Sequence, residues 1–341
     1  MSSDIINSEK LNEDVKLDNT LRPSSFNEYM GQGKIKENLN ILIEAAKKRS
    51  EPIEHVLLYG NSGLGKTTLA HIISREMGVS IKATSGPAIE KAGDLASILT
   101  NLQPGDILFC DEIHRLNKTI EETLYPAMED FNLDIIIGKG PSAKTLQLEL
   151  PHFTLIGATT HSGLISSPLR NRFGATYRLN FYEQEDIKKI ISRSARILNV
   201  NIENDNTLEL IAQCSRYTPR VANRLLKRIR DYSQVRTDNI VNEKTTKEAL
   251  KMLEIDEYGL ESADRYILKT IIEKFGGGPV GLQTLAAASH EEPETITDVY
   301  EPYLLQIGFL DRTLRGRIAT KKAYNHLGIE YNEEENKLFQ F

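Results

Sequence analysis

The sequence predicts an α/β core built on a mostly parallel sheet, followed by a helical domain and then a winged-helix domain. Three observations predict it. Between residues 35 and 160, apolar strand-like runs alternate with helical stretches, the pattern of βαβ units whose sheet is covered by helices. Beyond Tyr182 the strand-like runs stop, and amphipathic helices follow one another. The last part reads helix, helix, helix and then an extended basic run, the order of a winged helix.

Length and composition agree with this class. A chain of 341 residues is long enough for two or three domains, each burying its own core. The expected boundaries are a polar arm over 1–20, a large domain over 21–182, a small helical domain over 183–255, a winged-helix domain over 256–330 and a tail over 331–341. Hydrophobic content of 40% and charged content of 26% are those of an ordinary globular protein. No apolar run reaches membrane-spanning length, so no membrane partner is expected. The first twenty residues lack the basic start and apolar stretch of a signal peptide. The two cysteines, Cys110 and Cys214, suit a reducing cytoplasm and offer no disulfide framework. Cys110, inside the apolar run DILFCDE, reads as a small buried filler.

The elements follow in order. IKENLNILIEAAKKR carries Ile35, Leu39, Leu42 and Ile43 on one helical stripe. HVLLYG is a strand that runs into a glycine-rich turn and the helix KTTLAHIISREMG. DILFCDE is a strand preceding the helix IEETLYPAMEDF, and FTLIGATT is another strand. Between them, DIIIGKGPSAKTLQLEL reads as a hairpin with alternating Leu146, Leu148 and Leu150, which belong either to the core or to an exposed interaction strip. QEDIKKIISRSARILN, NTLELIAQCSR and RVANRLLKRIRDYSQV are the helices of the second domain. The acidic stretch EIDEYGLE, Glu254 to Glu261, marks the next boundary. A Gly-Gly-Gly-Pro break at Gly276 to Pro279 and the basic run FLDRTLRGRIAT complete the last domain.

The chemistry is concentrated at the ends of the strands, where open parallel sheets place their sites. GNSGLGKT, Gly60 to Thr67, matches G-x-x-x-x-G-K-[ST] in the required context, after a strand and opening a helix. Gly63 and Gly65 let backbone N–H groups approach phosphates, and the helix N-terminus favours their charge. Lys66 is expected to reach the β- and γ-phosphates of ATP, and the Thr67 hydroxyl to hold Mg²⁺. DILFCDE ends in Asp111, placed to support Mg²⁺, and Glu112, placed to polarise a water against the γ-phosphate. Thr159 and Thr160 end the next strand and could sense that phosphate. Arg170 and Arg172, in SPLRNRFG, are candidates for a cation delivered by a neighbouring subunit, and Arg220 opens a helix of the second domain. The net charge of −6 does not by itself suggest a nucleic-acid partner. Phosphate contact depends on local clusters, however, and Arg312, Arg315, Arg317, Lys321 and Lys322 are opposed only by Asp311. The same cluster could be a solvated basic face.

These residues also carry a resemblance. GLGKTTLA, LFCDEIHRL, LYPAMEDFNLDIIIGKGP, FTLIGATT, SPLRNRFG, TPRVANRLLKRIRD, GGPVGLQTLAAA and RTLRGRIAT resemble the RuvB family of AAA+ motors in order and spacing. The resemblance spans nearly the whole chain. It implies an AAA+ core, a helical lid and a winged-helix head. It also implies an ATP-driven DNA translocase: a homohexameric ring around the duplex DNA arms of a Holliday junction, which works with a RuvA tetramer and, in a junction complex, with the RuvC resolvase. By the same resemblance, Leu21, Arg22 and Tyr182 line the adenine pocket, and Gly63, Lys66, Thr67 and Thr68 hold phosphates and metal. Thr160 is the sensor after the strand, Arg220 the lid sensor and Arg170 the finger reaching the adjacent subunit, with Arg172 also near ATP. Glu129, Asp130 and Phe131 face nucleotide in the neighbouring protomer. Arg312 and Arg317 contact the DNA backbone, and Leu146, Leu148 and Leu150 pack on RuvA. The chain departs from the family at Asn61-Ser62, at Asn171, at His161 where an arginine is common, and at Leu314 where a proline is common. Two other readings share some of these features: another AAA+ ATPase of DNA metabolism, clamp-loader-like or initiator-like, and a nucleotide-switched winged-helix DNA-binding protein.

Overall fold

Strands that read as unbroken apolar runs should lie in the middle of a parallel sheet, covered on both faces. The computed structural model, which describes residues 20–137, 144–237 and 239–331, puts them there. The chain divides into two units, Met1–Tyr182 and Glu183–Phe341. The expected arm over 1–20 and tail over 331–341 lie, apart from Thr20 and Tyr331, outside the described residues.

In the first unit, helix α1 (Gly33–Arg49) precedes β1 (Val56–Tyr59), α2 (Lys66–Met77), β2 (Ile81–Ser85), α3 (Ala92–Thr100), β3 (Ile107–Asp111) and α4 (Lys118–Glu129). A hairpin of β4 (Asn132–Ile137) and β5 (Lys144–Glu149) follows, then β6 (Thr154–Thr159), the short α5 (Ser167–Arg170) and β7 (Ala175–Arg178). The sheet order is β2-β3-β6-β1-β7, with every pairing parallel. Strand β6 therefore lies between β1 and β3, and Tyr59 pairs with Thr159. The carboxyl ends of all three strands emerge side by side, about 5 Å from strand to strand. Those ends carry the glycine-rich turn, the acidic pair and the threonine pair. On α1, Leu39, Ile43 and Ala46 are buried, which uses the predicted stripe.

The hairpin is antiparallel with Leu133 opposite Leu148. Its leucines do not form one exposed strip. Leu150 is buried in the core with Leu133 and Phe153, and Leu148 packs against that core; only Leu146 is exposed. The alternation puts all three on one face, but the base of that face lies on the domain, so Leu150 is corrected from a docking residue to a core residue.

The second unit begins with α6 (Gln184–Ile197), α7 (Asp205–Gln213), α8 (Pro219–Arg236) and α9 (Glu243–Met252). Asn204 and Asn242 cap α7 and α9, accepting from the N–H groups of Thr207 at 2.9 Å and Thr245 at 3.0 Å. Strands do not vanish entirely here. A two-residue parallel pair, β8 (Asn201–Ile202) and β9 (Ile240–Val241), joins the segments that lead into α7 and α9. So short a pair leaves no periodic signal in the sequence.

Helices α10 (Ser262–Phe275), α11 (Leu282–Ser289), α12 (Pro293–Thr295) and α13 (Glu301–Gln306) then lead to the wing of β10 (Leu310–Thr313) and β11 (Gly316–Ala319), and α14 (Lys321–Leu327) follows. The wing packs on the Gly-Gly-Gly-Pro break through a bridge from Val280 to Arg317. Gly316, at φ 144°, is required: a Cβ there would stand 2.3 Å from the Val280 carbonyl oxygen. The acidic stretch 254–261 is tied down. Asp256 accepts from the Leu260 N–H at 2.9 Å and pairs with Arg265 at 3.3 Å and His326 at 2.9 Å. Arg216 donates to the Gly259 carbonyl at 2.9 Å and forms a buried ion pair with Asp264.

Candidate nucleotide site

The site grows from the turn after β1. Gly60 leaves the strand at φ 142°, and a Cβ there would meet the Leu179 carbonyl oxygen at 2.4 Å, so only glycine lets the chain turn at this point. The loop closes around Lys66, whose ammonium donates to the carbonyls of Gly60 at 2.7 Å and Asn61 at 3.0 Å. Lys66 is nearly buried, while Thr67 and Thr68 on the first turn of α2 are half-exposed. Backbone N–H groups without helical partners and a preformed cationic centre suit a polyphosphate.

Two tyrosines support this loop from behind. The Tyr182 hydroxyl donates to the Leu64 carbonyl at 3.1 Å and accepts from the Tyr29 hydroxyl at 3.0 Å, and a Cβ on Gly65 would meet that Tyr29 hydroxyl at 3.0 Å. Burial is the main reason that the Tyr29 phenol is held well above its ordinary pKa. Sequence reasoning missed Tyr29, since a lone aromatic in a polar stretch has no periodicity to mark it. Leu21 is buried in the same unit. Arg22 lies close enough to His71 on α2 to help burial lower that imidazole's pKa. All three residues expected on the adenine side, Leu21, Arg22 and Tyr182, thus lie in the P-loop unit, with Arg22 near α2.

On the other side of β6, Asp111 Oδ1 accepts the Glu112 N–H at 3.0 Å. Glu112 sits in the left-handed region at φ 47°, which turns its carboxylate toward the end of β6. Its Oε2 accepts from the Thr160 hydroxyl at 3.3 Å and lies 3.2 Å from His114 Nδ1. His114 is 2.8 Å from Thr159 Oγ1, and Thr160 Oγ1 is 2.9 Å from His161 Nδ1. The structure therefore brings Glu112 and Thr160 together and adds two histidines to them. Both histidines adjoin motif letters in the sequence, and nothing in the spacing alone assigns them a role. Cys110, directly before Asp111, is buried, and burial pushes its thiol up to about 12, as befits a filler.

A second cluster forms around α5. Arg170 is exposed, its guanidinium donating to the carbonyls of Ser162 and Ile165. Arg172 stacks over the Tyr125 ring at 4.2 Å and pairs with Glu129 at 3.0 Å. Glu129 and Asp130 are exposed, so both arginines and both acids share one region of the surface. Phe131 differs from them. Its ring packs against His152 at 4.1 Å and edge-on to Phe153 at 5.8 Å, so it serves the domain's own aromatic cluster rather than presenting a face to a partner.

In the second unit, Arg220 is exposed on the first turn of α8. On the wing, Arg312 and Arg315 are exposed and Leu314 stands fully in solvent at the tip. Arg317 is not available as a backbone contact. It is 6% exposed, and its guanidinium is paired with the buried Glu301. Arg317 shares a face with its cross-strand partner Arg312, but only its end of that face is covered, so the basic run divides into two exposed arginines and one structural one.

Comparisons with known proteins cover the same three parts of the chain. A family model described as the Holliday junction DNA helicase RuvB P-loop domain matches residues 21–179. A RuvB AAA lid domain matches 182–256, and a RuvB C-terminal winged helix domain matches 257–328. The Holliday junction branch migration complex subunit RuvB of Dehalococcoides mccartyi (strain CBDB1) is 59% identical over 332 residues, 97% of this chain and 95% of that protein. The structure resembles the Thermotoga maritima RuvB Holliday junction branch migration motor with a TM-score of 0.85 at 51% identity, covering 92% of this chain and 100% of that one. A point mutant of Thermotoga maritima RuvB matches with the same TM-score at 52% identity, covering 92% and 99%.

Proposed function

The chain belongs to the RuvB family, and on that premise we propose that it is the ATP-driven motor of Holliday junction branch migration, acting in DNA recombination and repair. The observation that carries the reading is the convergence of the P-loop, Glu112 and Thr160 at three neighbouring strand ends, in a chain that ends in a wing with exposed arginines. The clamp-loader-like, initiator-like and switch readings are not favoured, because RuvB-specific models match the core, the lid and the winged helix alike.

In this reading the P-loop amides and Lys66 hold the β- and γ-phosphates, Lys66 exchanging backbone carbonyls for phosphate oxygens. Leu21, Arg22 and Tyr182 flank the base, while Gly63, Gly65, Thr67 and Thr68 complete the cradle. Thr67 and Asp111 are the residues for Mg²⁺. Among the described residues no three His, Cys, Asp or Glu gather as a closed metal site. A hydroxyl and a carboxylate on either side of β6 suit a hard cation that takes its remaining oxygens from phosphate and water. When bound, the ion neutralises charge on the transferring phosphoryl group. Glu112 takes up the water's proton, and Thr160 orients the γ-phosphate. Arg170 and Arg172, with Glu129 and Asp130, belong to the face offered to the next subunit's nucleotide, and Arg220 on the lid reports the same phosphates.

The working assembly in this reading is a cytoplasmic homohexamer that encircles a duplex arm, is loaded by RuvA and shares the junction with RuvC. Leu146, with Leu148 beside it, is the apolar contact for RuvA, and Arg312 and Arg315 hold DNA phosphates. Holding phosphates rather than base edges lets a motor pass over any sequence. No helix among the described residues is long and apolar enough to cross a membrane. The deciding assay is ATP-dependent movement of a synthetic four-way junction with and without RuvA. Movement that needs ATP and rises with RuvA is expected. ATP hydrolysis without junction movement under both conditions would overturn the reading.

A further inference from the structure

The hydrogen bonds around Glu112 fix the state of a neighbouring side chain. Thr160 Oγ1 donates to Glu112 Oε2 at 3.3 Å and lies 2.9 Å from His161 Nδ1. A hydroxyl has one hydrogen, and a carboxylate only accepts, so the hydrogen given to Glu112 cannot also serve His161. His161 Nδ1 must then carry its own hydrogen and donate it to Thr160. In the other tautomer, a bare Nδ1 at the shorter distance would draw the Thr160 hydrogen to itself, and Glu112 would lose it.

The surroundings hold His161 in this orientation. Its backbone N–H donates to Thr159 Oγ1 at 2.9 Å, which ties the residue to the end of β6. Its ring packs on His114 with centroids 5.1 Å apart. His114 Nδ1 lies 3.2 Å from Glu112 Oε2 and 2.8 Å from Thr159 Oγ1. A lone pair facing the carboxylate would be repelled, so this nitrogen also bears hydrogen. One relay thus ends on the Glu112 carboxylate, from His161 through Thr160, while His114 gives its hydrogen to the nearer Thr159 Oγ1.

We propose that His161 is a positioning residue of the hydrolytic site. By donating to Thr160 it fixes where that threonine presents its single hydrogen, toward Glu112 while the carboxylate is near and toward a phosphate oxygen once ATP is bound. Without this donor the threonine hydrogen is no longer committed to the reacting groups. The inference rests on the ATPase reading above.

The test is steady-state ATP turnover by the full-length protein on duplex DNA, with KM and nucleotide affinity measured alongside kcat. His161→Ala and His161→Phe are each expected to lower kcat by about tenfold with KM and nucleotide affinity unchanged, the loss of one oriented hydrogen bond. His161→Asn, whose amide nitrogen can stand where Nδ1 stands and donate, is expected to recover most of the rate. The phenylalanine keeps the ring against His114 without a donor, so it separates packing from hydrogen bonding. Wild-type kcat in His161→Phe, or His161→Asn no faster than His161→Ala, would overturn the proposal. Glu112→Gln run in parallel keeps the two readings apart. Wild-type turnover in Glu112→Gln would sink the assignment of the hydrolytic site itself. An inactive Glu112→Gln beside an unaffected His161 series would sink only the role of His161.

Discussion

Arg317→Ala is expected to damage the winged-helix fold rather than its grip on DNA. Arg317 lies on β11 opposite Arg312 on β10, yet the two side chains differ completely in environment. Arg312 is exposed, whereas Arg317 and its partner Glu301 are 6% and 3% exposed. Truncating Arg317 would leave the Glu301 carboxylate uncompensated in the interior, which costs about 3–5 kcal/mol. Truncating Arg312 removes an exposed side chain and should change stability by no more than about 0.5 kcal/mol. It would, however, remove a phosphate contact and lower the slope of log affinity against log salt by about 0.9. A chain of several domains does not unfold in one step, so local stability is best read by hydrogen exchange at the amides of α10, α13 and β11. The double variant Arg317→Met with Glu301→Leu replaces the pair by apolar groups and should recover most of the lost protection, because buried pairs often yield to hydrophobic isosteres at no cost. Duplex binding by that double variant, titrated with salt, should keep the wild-type slope. A drop of about one unit, as expected for Arg312→Ala, would refute the structural role and return Arg317 to the DNA surface.

Other predictions concern the nucleotide site and its support. Lys66→Ala should abolish nucleotide binding, whereas Glu112→Gln should bind and not hydrolyse, since one removes a phosphate ligand and the other the water's base; equilibrium binding of a labelled nucleotide with a phosphate-release assay checks both. Subunits carrying Arg170→Ala or Arg172→Ala should each be inactive alone. If the cation acts between subunits, mixing either with Glu112→Gln subunits should restore some turnover at interfaces that pair intact halves, and no restoration in stable mixed rings would place the arginine's role within one subunit. His55 should act as a pH-dependent clamp. Its Nδ1 accepts from the Leu155 N–H at 2.8 Å, so Nε2 donates to the Met128 carbonyl at 3.0 Å, and burial lowers its pKa. The unfolded chain then binds the proton more readily, so the stabilisation present above pH about 6.5 should fade as pH falls through and below that value. Thermal unfolding of the P-loop unit between pH 8 and 5, compared with His55→Gln, should show a smaller acid loss in the variant; equal losses would remove His55 from the account.

Local pattern was enough to determine much of this protein. Gly60–Thr67 announced a phosphate site because strand, glycine turn and helix are contiguous in the chain, and DILFCDE and FTLIGATT announced buried strands because their apolar runs are unbroken. The family, too, was legible in motif order. Pairings across the fold were not. Glu112 and His161 are 49 positions apart, and only the insertion of β6 between β1 and β3 brings their segments together. Tyr29 reaches the P-loop through Tyr182, a contact between the two ends of the first unit. Leu150 and Arg317 show the limit most clearly. Each continues a run whose other members are exposed, and the sequence assigns the run a single character. Burial, however, is decided by what lies opposite: the core of the P-loop unit beneath Leu150, and the Glu301 carboxylate beneath Arg317. A strand's alternation sets which residues share a face, but only tertiary packing decides how far along the strand that face is covered.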